Sequence, residues 1–101
     1  MRNFGRIVAE CIDITKNTKG LCIFEYNGLT NEVIIKIYPD GYNSNREENK
    51  CIYFPFETKE KYHASCLDYY TPQGIEFLIN EMLGWLYKME KQLKGIKNES
   101  N

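Results

Sequence analysis

The chain has 101 residues, a hydrophobic fraction of 43% and a net charge of −1, which indicate one folded domain rather than a disordered segment. The balanced charge argues against nucleic acid as a partner, because nucleic-acid-binding surfaces usually carry an excess of basic residues. No apolar run approaches the roughly 18 residues of a membrane-spanning helix, so we expect no contact with a membrane.

The first half of the chain predicts strands. Arg6 to Thr15 (RIVAECIDIT) is rich in β-branched side chains and predicts a first strand. Leu21 to Tyr26 and Glu32 to Tyr38 predict a second and a third strand. Lys16 to Gly20 predicts the hairpin turn between the first two, with Gly20 free to take a positive φ. We expect these strands to pair as an antiparallel meander.

The next segments are less regular. Asn27-Gly28 predicts the turn before the third strand. Lys50 to Phe56 predicts a fourth strand, which Pro55 confines to a sheet edge or ends early, because proline cannot donate a backbone hydrogen bond. Residues 57–70 predict an irregular segment that has room for a short helix around Lys59 to Cys66.

The last third predicts one long amphipathic helix from Thr71 to Gly95. The Thr71 hydroxyl can cap its start, Pro72 suits the first helical position, and Gly95 can take the left-handed conformation that ends a helix. Apolar residues recur every three or four positions. They form one stripe of Ile75, Leu78, Ile79, Met82, Leu86, Met89 and Leu93, widened by Leu83 and Trp85.

Strands followed by a helix predict an α+β fold, in which an antiparallel sheet of about four strands packs against one long C-terminal α-helix. We expect the third strand to be central, because the run from Val33 to Ile37 is apolar on both faces. The single predicted domain comprises the sheet over residues 6–56, the irregular segment 57–70, the helix 71–95 and a frayed tail 96–101.

The four cysteines, Cys11, Cys22, Cys51 and Cys66, raise the question of disulfides or metal ligation. No pair has C-x-x-C spacing and no signal peptide is evident, so we expect a chain in the cytosol of its host cell with reduced, structural thiols. His63 and Cys66 have the spacing of half a zinc site. The remaining ligands would have to come from cysteines in predicted strands, so we expect no metal.

Catalytic candidates are few. His63 and Cys66 also have the residue types of a base and a nucleophile, but no recognisable motif surrounds them. The carboxylate pairs at residues 47–48 and at Glu57 and Glu60 could act in acid–base chemistry, yet they interleave with basic residues as a solvated loop does. No phosphate-binding or nucleophile-elbow motif is present, so we expect neither a cofactor nor catalysis.

Two groups of residues favour a protein-binding role. The aromatic residues of the middle third have three interpretations: core and rim of the fourth strand, a protein-binding surface, or platforms that stack bases. They are Tyr38, Tyr42, Tyr53, Phe54, Phe56, Tyr62, Tyr69 and Tyr70. The far face of the long helix, defined as Phe77, Asn80, Glu81, Gly84, Lys88 and Lys91, carries a large aromatic ring and a mid-helix glycine. A solvated helix face needs neither of these.

Self-association or a partner on the far face would explain both residues; the alternative is that Phe77 packs over the segment preceding Thr71. The partner-binding residues that we expect are Tyr42, Tyr62, Tyr69, Tyr70, Phe77, Gly84, Tyr87 and Lys88.

We therefore expect a small interaction protein without catalytic activity, with homodimerisation through the far face as a related expectation. Its choice of residues, with much Lys, Asn, Ile and Tyr and little Arg and Ala, is typical of an AT-rich genome. By analogy with accessory proteins of phages and mobile elements, it would inhibit an unidentified host defence protein by binding it. The alternatives are a small-ligand or nucleotide-binding oligomer and a small cysteine- or carboxylate-dependent enzyme.

Thiol titration tests the expected redox state. Protein purified without added oxidant and then denatured should react with four equivalents of a thiol reagent, because the chain holds four cysteines and we expect all of them reduced. Two disulfides in that preparation would contradict the expected cytosolic location.

Overall fold

The computed structural model describes residues 4–45, 49–54 and 65–99, with side chains described as far as Gly95. The predicted fold class is confirmed, because the described residues form an antiparallel sheet of four strands and a long C-terminal helix. In chain order the elements are α1 (Phe4–Asn17), β1 (Leu21–Asn27), β2 (Glu32–Tyr38), β3 (Ile52–Tyr53), β4 (Ser65–Cys66), a single 3-10 turn (Leu67–Tyr69) and α2 (Pro72–Glu99).

Strand β2 is the centre of the sheet, as predicted. On one side it pairs with the whole of β1, in an antiparallel register that runs from Leu21 opposite Tyr38 to Asn27 opposite Glu32. On its other side the end of β2 pairs with β3 and its beginning pairs with β4. The predicted fourth strand is therefore present at an edge, but its described pairing extends over only two residues.

One face of the sheet is covered by both helices. Val33, Ile35 and Ile37 alternate along β2 and are almost fully buried. They belong to one apolar cluster with residues of α1 and of α2. At the β3 side, the rings of Phe54 and Trp85 meet edge to face, with 5.7 Å between their centroids. The architecture is thus two layers, with α1 and α2 side by side over the sheet.

The predicted first strand is wrong, because Arg6 to Thr15 lies within helix α1. The buried apolar residues of this segment are Phe4, Ile7, Cys11 and Ile14, which recur in steps of three and four and so share one helical face. The β-branched composition that favoured a strand is a weak preference, and tertiary burial of a helical stripe overrides it. The segment therefore supplies a second helix to the core.

Lys16 to Gly20 consequently connects a helix to a strand, and the predicted hairpin turn is wrong. The Thr18 hydroxyl donates to the Ile14 carbonyl at 2.7 Å and accepts from the Gly20 amide at 3.0 Å. Gly20 does not use a positive φ. Its lack of a side chain instead lets Leu93 approach, since a Cβ at Gly20 would stand 2.9 Å from the Leu93 Cδ1 atom.

Helix α2 begins as predicted but continues further. The Thr71 hydroxyl accepts the Gly74 amide at 3.0 Å, which caps the first turn. The helix runs to Glu99, so Gly95 does not end it and the predicted frayed tail is helical over residues 96–99. Glycine ends a helix only where the backbone turns left-handed, and Gly95 does not. The 28 residues span about 42 Å, well beyond a seven-residue strand.

The irregular segment falls partly outside the described residues. Positions 59–64 of the predicted short helix are among those not described, whereas its last two positions form strand β4 and pair with Glu32 and Val33. The Asn31 carbonyl then accepts the Leu67 amide at 2.8 Å, and the Asn31 side chain donates to Asp68 at 2.9 Å. These contacts tie the entrance of α2 to the β1–β2 turn.

The central position of β2 makes Ile35 a test of the core. Ile35→Ala should lower the free energy of unfolding by about 2–5 kcal/mol, because the lost methyl groups leave a cavity under both helices. The matched control is Ile34→Ala, since Ile34 is a neighbour that points to the open face of the sheet and is only half-buried. Urea unfolding measures both; a loss at Ile35 below about 1 kcal/mol would contradict its place in the core.

Candidate interaction surfaces

The far face of α2 is a continuous exposed surface. Every residue in its definition is exposed, while Leu78, Met82 and Leu86 on the opposite side are buried. Within it Phe77 is 66% exposed, and at its border Tyr87 is 48% exposed. The helix therefore has one apolar stripe that is covered by the sheet and α1, and two large aromatic side chains that the described residues leave exposed.

Contacts within the described chain explain neither Phe77 nor Gly84. The alternative that Phe77 packs over the short helix preceding Thr71 falls largely on residues 59–64, which lie outside the described residues; in the structure Phe77 is 66% exposed. A Cβ added at Gly84 would meet no atom within 4 Å. A mid-helix glycine costs roughly 1 kcal/mol relative to alanine, so the helix accepts this cost without a contact in the described chain.

The predicted tyrosines do not form one surface. Tyr42 lies after the end of β2, where its ring packs edge to face on Tyr38 with 5.4 Å between centroids. Tyr69 and Tyr70 lie at the opposite end of β2, in and after the 3-10 turn that is held by Asn31. Tyr62 lies outside the described residues. Of the predicted set, only Phe77, Gly84, Tyr87 and Lys88 share one element.

A second exposed apolar feature is a groove between α1 and β1, with a volume of about 500 Å³. From α1 it is lined by Val8 and Ile12, which are 41% and 48% exposed, and from β1 by Ile23 and Phe24. Lys16 contributes the one charged side chain of the lining. This groove does not follow from the predicted first strand, because it requires α1 to be a helix; the helical spacing of Val8, Ile12 and Thr15 is the signal that could have revealed it.

Cys11 and Cys22 lie together at the floor of this groove. The thiol of Cys22 donates to the sulfur of Cys11, which raises the pKa of Cys22 and lowers that of Cys11. Both side chains are buried. The groups that shift the two pKa values include no positively charged side chain, so no cation stabilises a thiolate at this pair. All four sulfurs of the chain are free of disulfides in the structure.

A buried acid lies between the two helices. Glu10 is only 7% exposed, and its Oε1 atom has no hydrogen-bond partner. Burial, followed by the neighbouring Glu90 carboxylate, raises the pKa of Glu10 from its ordinary 4.5 to about 7. Glu90 in turn lies 3.4 Å from Lys94 in an ion pair. Glu10 therefore keeps its proton to near neutral pH, at a helix contact where no described pocket admits a substrate.

The described residues do not place the other candidate catalytic or metal-ligating side chains in a site. Cys66 is half-exposed, and its thiol faces the Thr30 carbonyl at 3.6 Å and the Asp68 carboxylate at 3.8 Å, neither of which stabilises a thiolate. His63 and the carboxylates at 47–48, 57 and 60 lie outside the described residues. Within the described ranges, no three His, Cys, Asp or Glu side chains converge as a metal site.

Comparisons with known proteins add no relative. No protein-family model matches the chain, and no match emerges from the curated proteins or from the solved structures. Neither α1 nor α2, the two α-helices of the described residues, has the length and apolar character that crossing a membrane requires.

The Glu10–Glu90 pair predicts an unusual pH dependence. The folded chain keeps the Glu10 proton up to about pH 7, whereas the unfolded chain releases it near pH 4.5, so the folded state binds more protons between these values. The stability that Glu10 contributes is therefore fully present below about pH 4.5 and lost as the pH rises through about 7.

Replacing the acid should remove this dependence. Glu10→Gln can donate to Glu90 at every pH, so it should unfold at higher urea than the parent at pH 8 and show a flatter profile between pH 5 and 8. Asp40→Asn is the control and should keep the parental profile, because Asp40 is an exposed carboxylate outside both helices whose surface ion pair with Lys19 contributes little. A Glu10→Gln variant with the parent's slope would show that Glu10 is not the titrating group.

Proposed function

We propose that this protein acts by binding another protein, without catalysing a reaction, and that the far face of α2 makes the contact. The exposure of Phe77 is the observation that supports the proposal. Exposed aromatic rings that are rimmed by polar residues are typical of binding hot spots. Tyr87 borders the same face, while Asn80, Glu81 and Lys88 supply a polar surround.

Gly84 supports close approach of a partner at the middle of this face. It lies two turns after Phe77, roughly 10 Å along the axis, and nothing in the described chain lies within 4 Å of the position of its absent Cβ. The distance between packed helices depends on the side chains at the crossing, so a glycine there permits the shortest distance. A partner helix could therefore cross α2 at Gly84 and contact Phe77 on one side.

The far face is complementary to a second copy of itself. If two copies pack antiparallel with Gly84 at the crossing, Glu81 of each copy lies nearly level with Lys88 of the other. Phe77 then lies level with Lys91, whose stem and charge suit an aromatic ring. A twofold axis at Gly84 repeats both pairs. We therefore propose a homodimer as the first assembly to test, and a host defence protein, suggested by analogy alone, as the second.

The experiment uses two substitutions on the far face and one matched control. Phe77→Ser removes the anchor and Gly84→Lys blocks close approach. Both positions are exposed, so each variant chain should fold, and Gly84→Lys should gain up to about 1 kcal/mol of helix propensity. Gln92→Lys is the control, because Gln92 is an exposed position of α2 outside the far face, roughly 12 Å along the axis from Gly84. Circular dichroism establishes folding before any binding is measured.

Light scattering over a concentration series then gives the mass. The parent and Gln92→Lys should form dimers, and both far-face variants should remain monomers. If the parent itself is a monomer, the homodimer is wrong, and affinity capture with the parent, the two variants and the control tests a different protein on this face. Parental mass and parental capture in both folded far-face variants would contradict the proposed function.

A further inference from the structure

We propose that the groove between α1 and β1 is a second binding site, which takes an extended peptide segment as an added antiparallel strand on the free edge of β1. The expected ligand alternates apolar side chains and places a carboxylate beside Lys16. This site lies on different elements from the far face of α2, so it stands or falls independently of the proposed function.

The free edge of β1 follows from the pairing of β2. The Ile35 carbonyl accepts the Phe54 amide at 3.0 Å on the β3 side, so the backbone of Ile35 points away from β1. Phe24 is the register partner of Ile35, so the backbone N–H and C=O groups of Phe24 point away from β2. Tyr26, two residues on, points the same way because strand backbones alternate. The N–H and C=O groups of both residues thus face outward, on the edge of the sheet that has no strand beside it in the described chain.

The start of this edge is already occupied, which defines where a peptide can bind. The Cys22 amide, which points to the same side, donates to the Thr15 hydroxyl of α1 at 3.0 Å. Helix α1 thus closes one end of the groove, and the backbone of Phe24 and Tyr26 remains beyond this contact. An added strand would pair with these two residues, as peptides do when they extend a sheet edge.

The walls of the groove match the side chains of such a strand. Val8 and Ile12 stand one helical turn apart and remain more than 40% exposed, although the rest of the apolar face of α1 is buried. Opposite them lie Ile23 and Phe24 of β1. The volume of about 500 Å³ lies within the usual range for ligand clefts, which is roughly 300–1,000 Å³. An apolar side chain of the peptide would cover Val8 and Ile12.

The positive charge of Lys16 predicts where the peptide carries its carboxylate. Lys16 is the charged residue of the lining, and it lies on the last turn of α1, at the end of the groove where β1 begins. A strand antiparallel to β1 ends at that point, so its carboxyl terminus or a late acidic side chain would lie beside Lys16. Both sources present the same carboxylate chemistry, and a C-terminal amide probe separates them.

The probes are dye-labelled hexapeptides in which valine, isoleucine, leucine or phenylalanine alternates with threonine, each made with a free carboxyl terminus and as a C-terminal amide. Fluorescence anisotropy on the full-length chain measures their affinity. We expect Ile12→Glu to weaken binding at least tenfold. Ala9→Glu, an exposed α1 position outside the groove lining, should leave binding unchanged. Lys16→Gln should weaken the free-acid probes several-fold and spare the threonine amides. An amide probe with glutamate in place of its last threonine carries only a side-chain carboxylate, so a loss confined to that probe would assign the carboxylate to a side chain.

Backbone pairing has its own readout. Methylation of alternate peptide nitrogens blocks one edge of the probe at a time, so one of the two methylation patterns should abolish binding and the other should retain it. In the same complex, amide hydrogen exchange should slow at Phe24 and Tyr26, and not at Ile23, which already pairs with β2.

Three results would overturn the inference. The first is that no probe binds at millimolar concentration. The second is that both methylation patterns bind equally, which would mean apolar docking without strand addition. The third is a dimer that Ile12→Glu dissociates and that the probes do not compete with, which would make the occupant the β1 edge of a second copy. The Gly84→Lys variant should bind the probes like the parent, which separates this site from the far face.

Discussion

The burial of one side of α2 is the constraint on which the rest of the structure depends. Leu78, Met82 and Leu86 would be exposed on an isolated helix, and burying each such side chain stabilises the fold by about 1.5–3 kcal/mol. The inner face of β2, with Val33, Ile35 and Ile37, has the same requirement from the other side. Neither surface is wide enough alone, and α1 completes the cover between α2 and β1.

Helix α1 buries apolar residues in this cover together with one acidic residue. Ile7 and Ile14 are fully buried, but Glu10 enters the same contact and leaves one carboxyl oxygen without a partner. An unsatisfied buried polar atom costs about 1–3 kcal/mol, so the apolar residues of α1 must offset that penalty. Burial, followed by the neighbouring Glu90 carboxylate, raises the pKa of Glu10 to about 7, and the neutral acid that persists below this pH reduces the cost. The attachment of α1 is therefore sensitive to pH.

The sequence predicted the elements whose signals are local. The stripe of α2 repeats over many turns, and its Thr71-Pro72 start is a local capping signal, so both could be read from the sequence. Strand β2 alternates, the first four residues of β1 are apolar, and the turn that joins the two strands over residues 28–31 begins at the Asn27-Gly28 signal. The β-branched residues of α1 favour a strand by residue type. The spacing of Phe4, Ile7, Cys11 and Ile14 is helical, and burial of that stripe decides the structure. Strands β3 and β4 are two residues each, and their pairing depends on register, which the sequence does not reveal.

The candidate surfaces also differ in whether they could be predicted from the sequence. The far face of α2 could be predicted because a correctly predicted helix fixes what lies opposite its buried stripe. The groove beside β1 and the contact between Glu10 and Glu90 could not, because each requires α1 to be a helix packed on its neighbours. The tyrosines misled for a related reason: proximity along the chain placed Tyr42 and Tyr69 together, whereas β2 separates them by about 20 Å.

Hydroxyl-radical footprinting tests most directly the claim that α2 holds the core with one side and binds with the other. In the dilute chain, Phe77 and Tyr87 should be labelled, whereas the intrinsically more reactive Met82 and Met89 should be spared because they are buried. In the assembled state or the partner complex, Phe77 and Tyr87 should become protected while both methionines stay unlabelled. Strong labelling of Met82 in the dilute chain, or of Phe77 in the complex, would contradict this account.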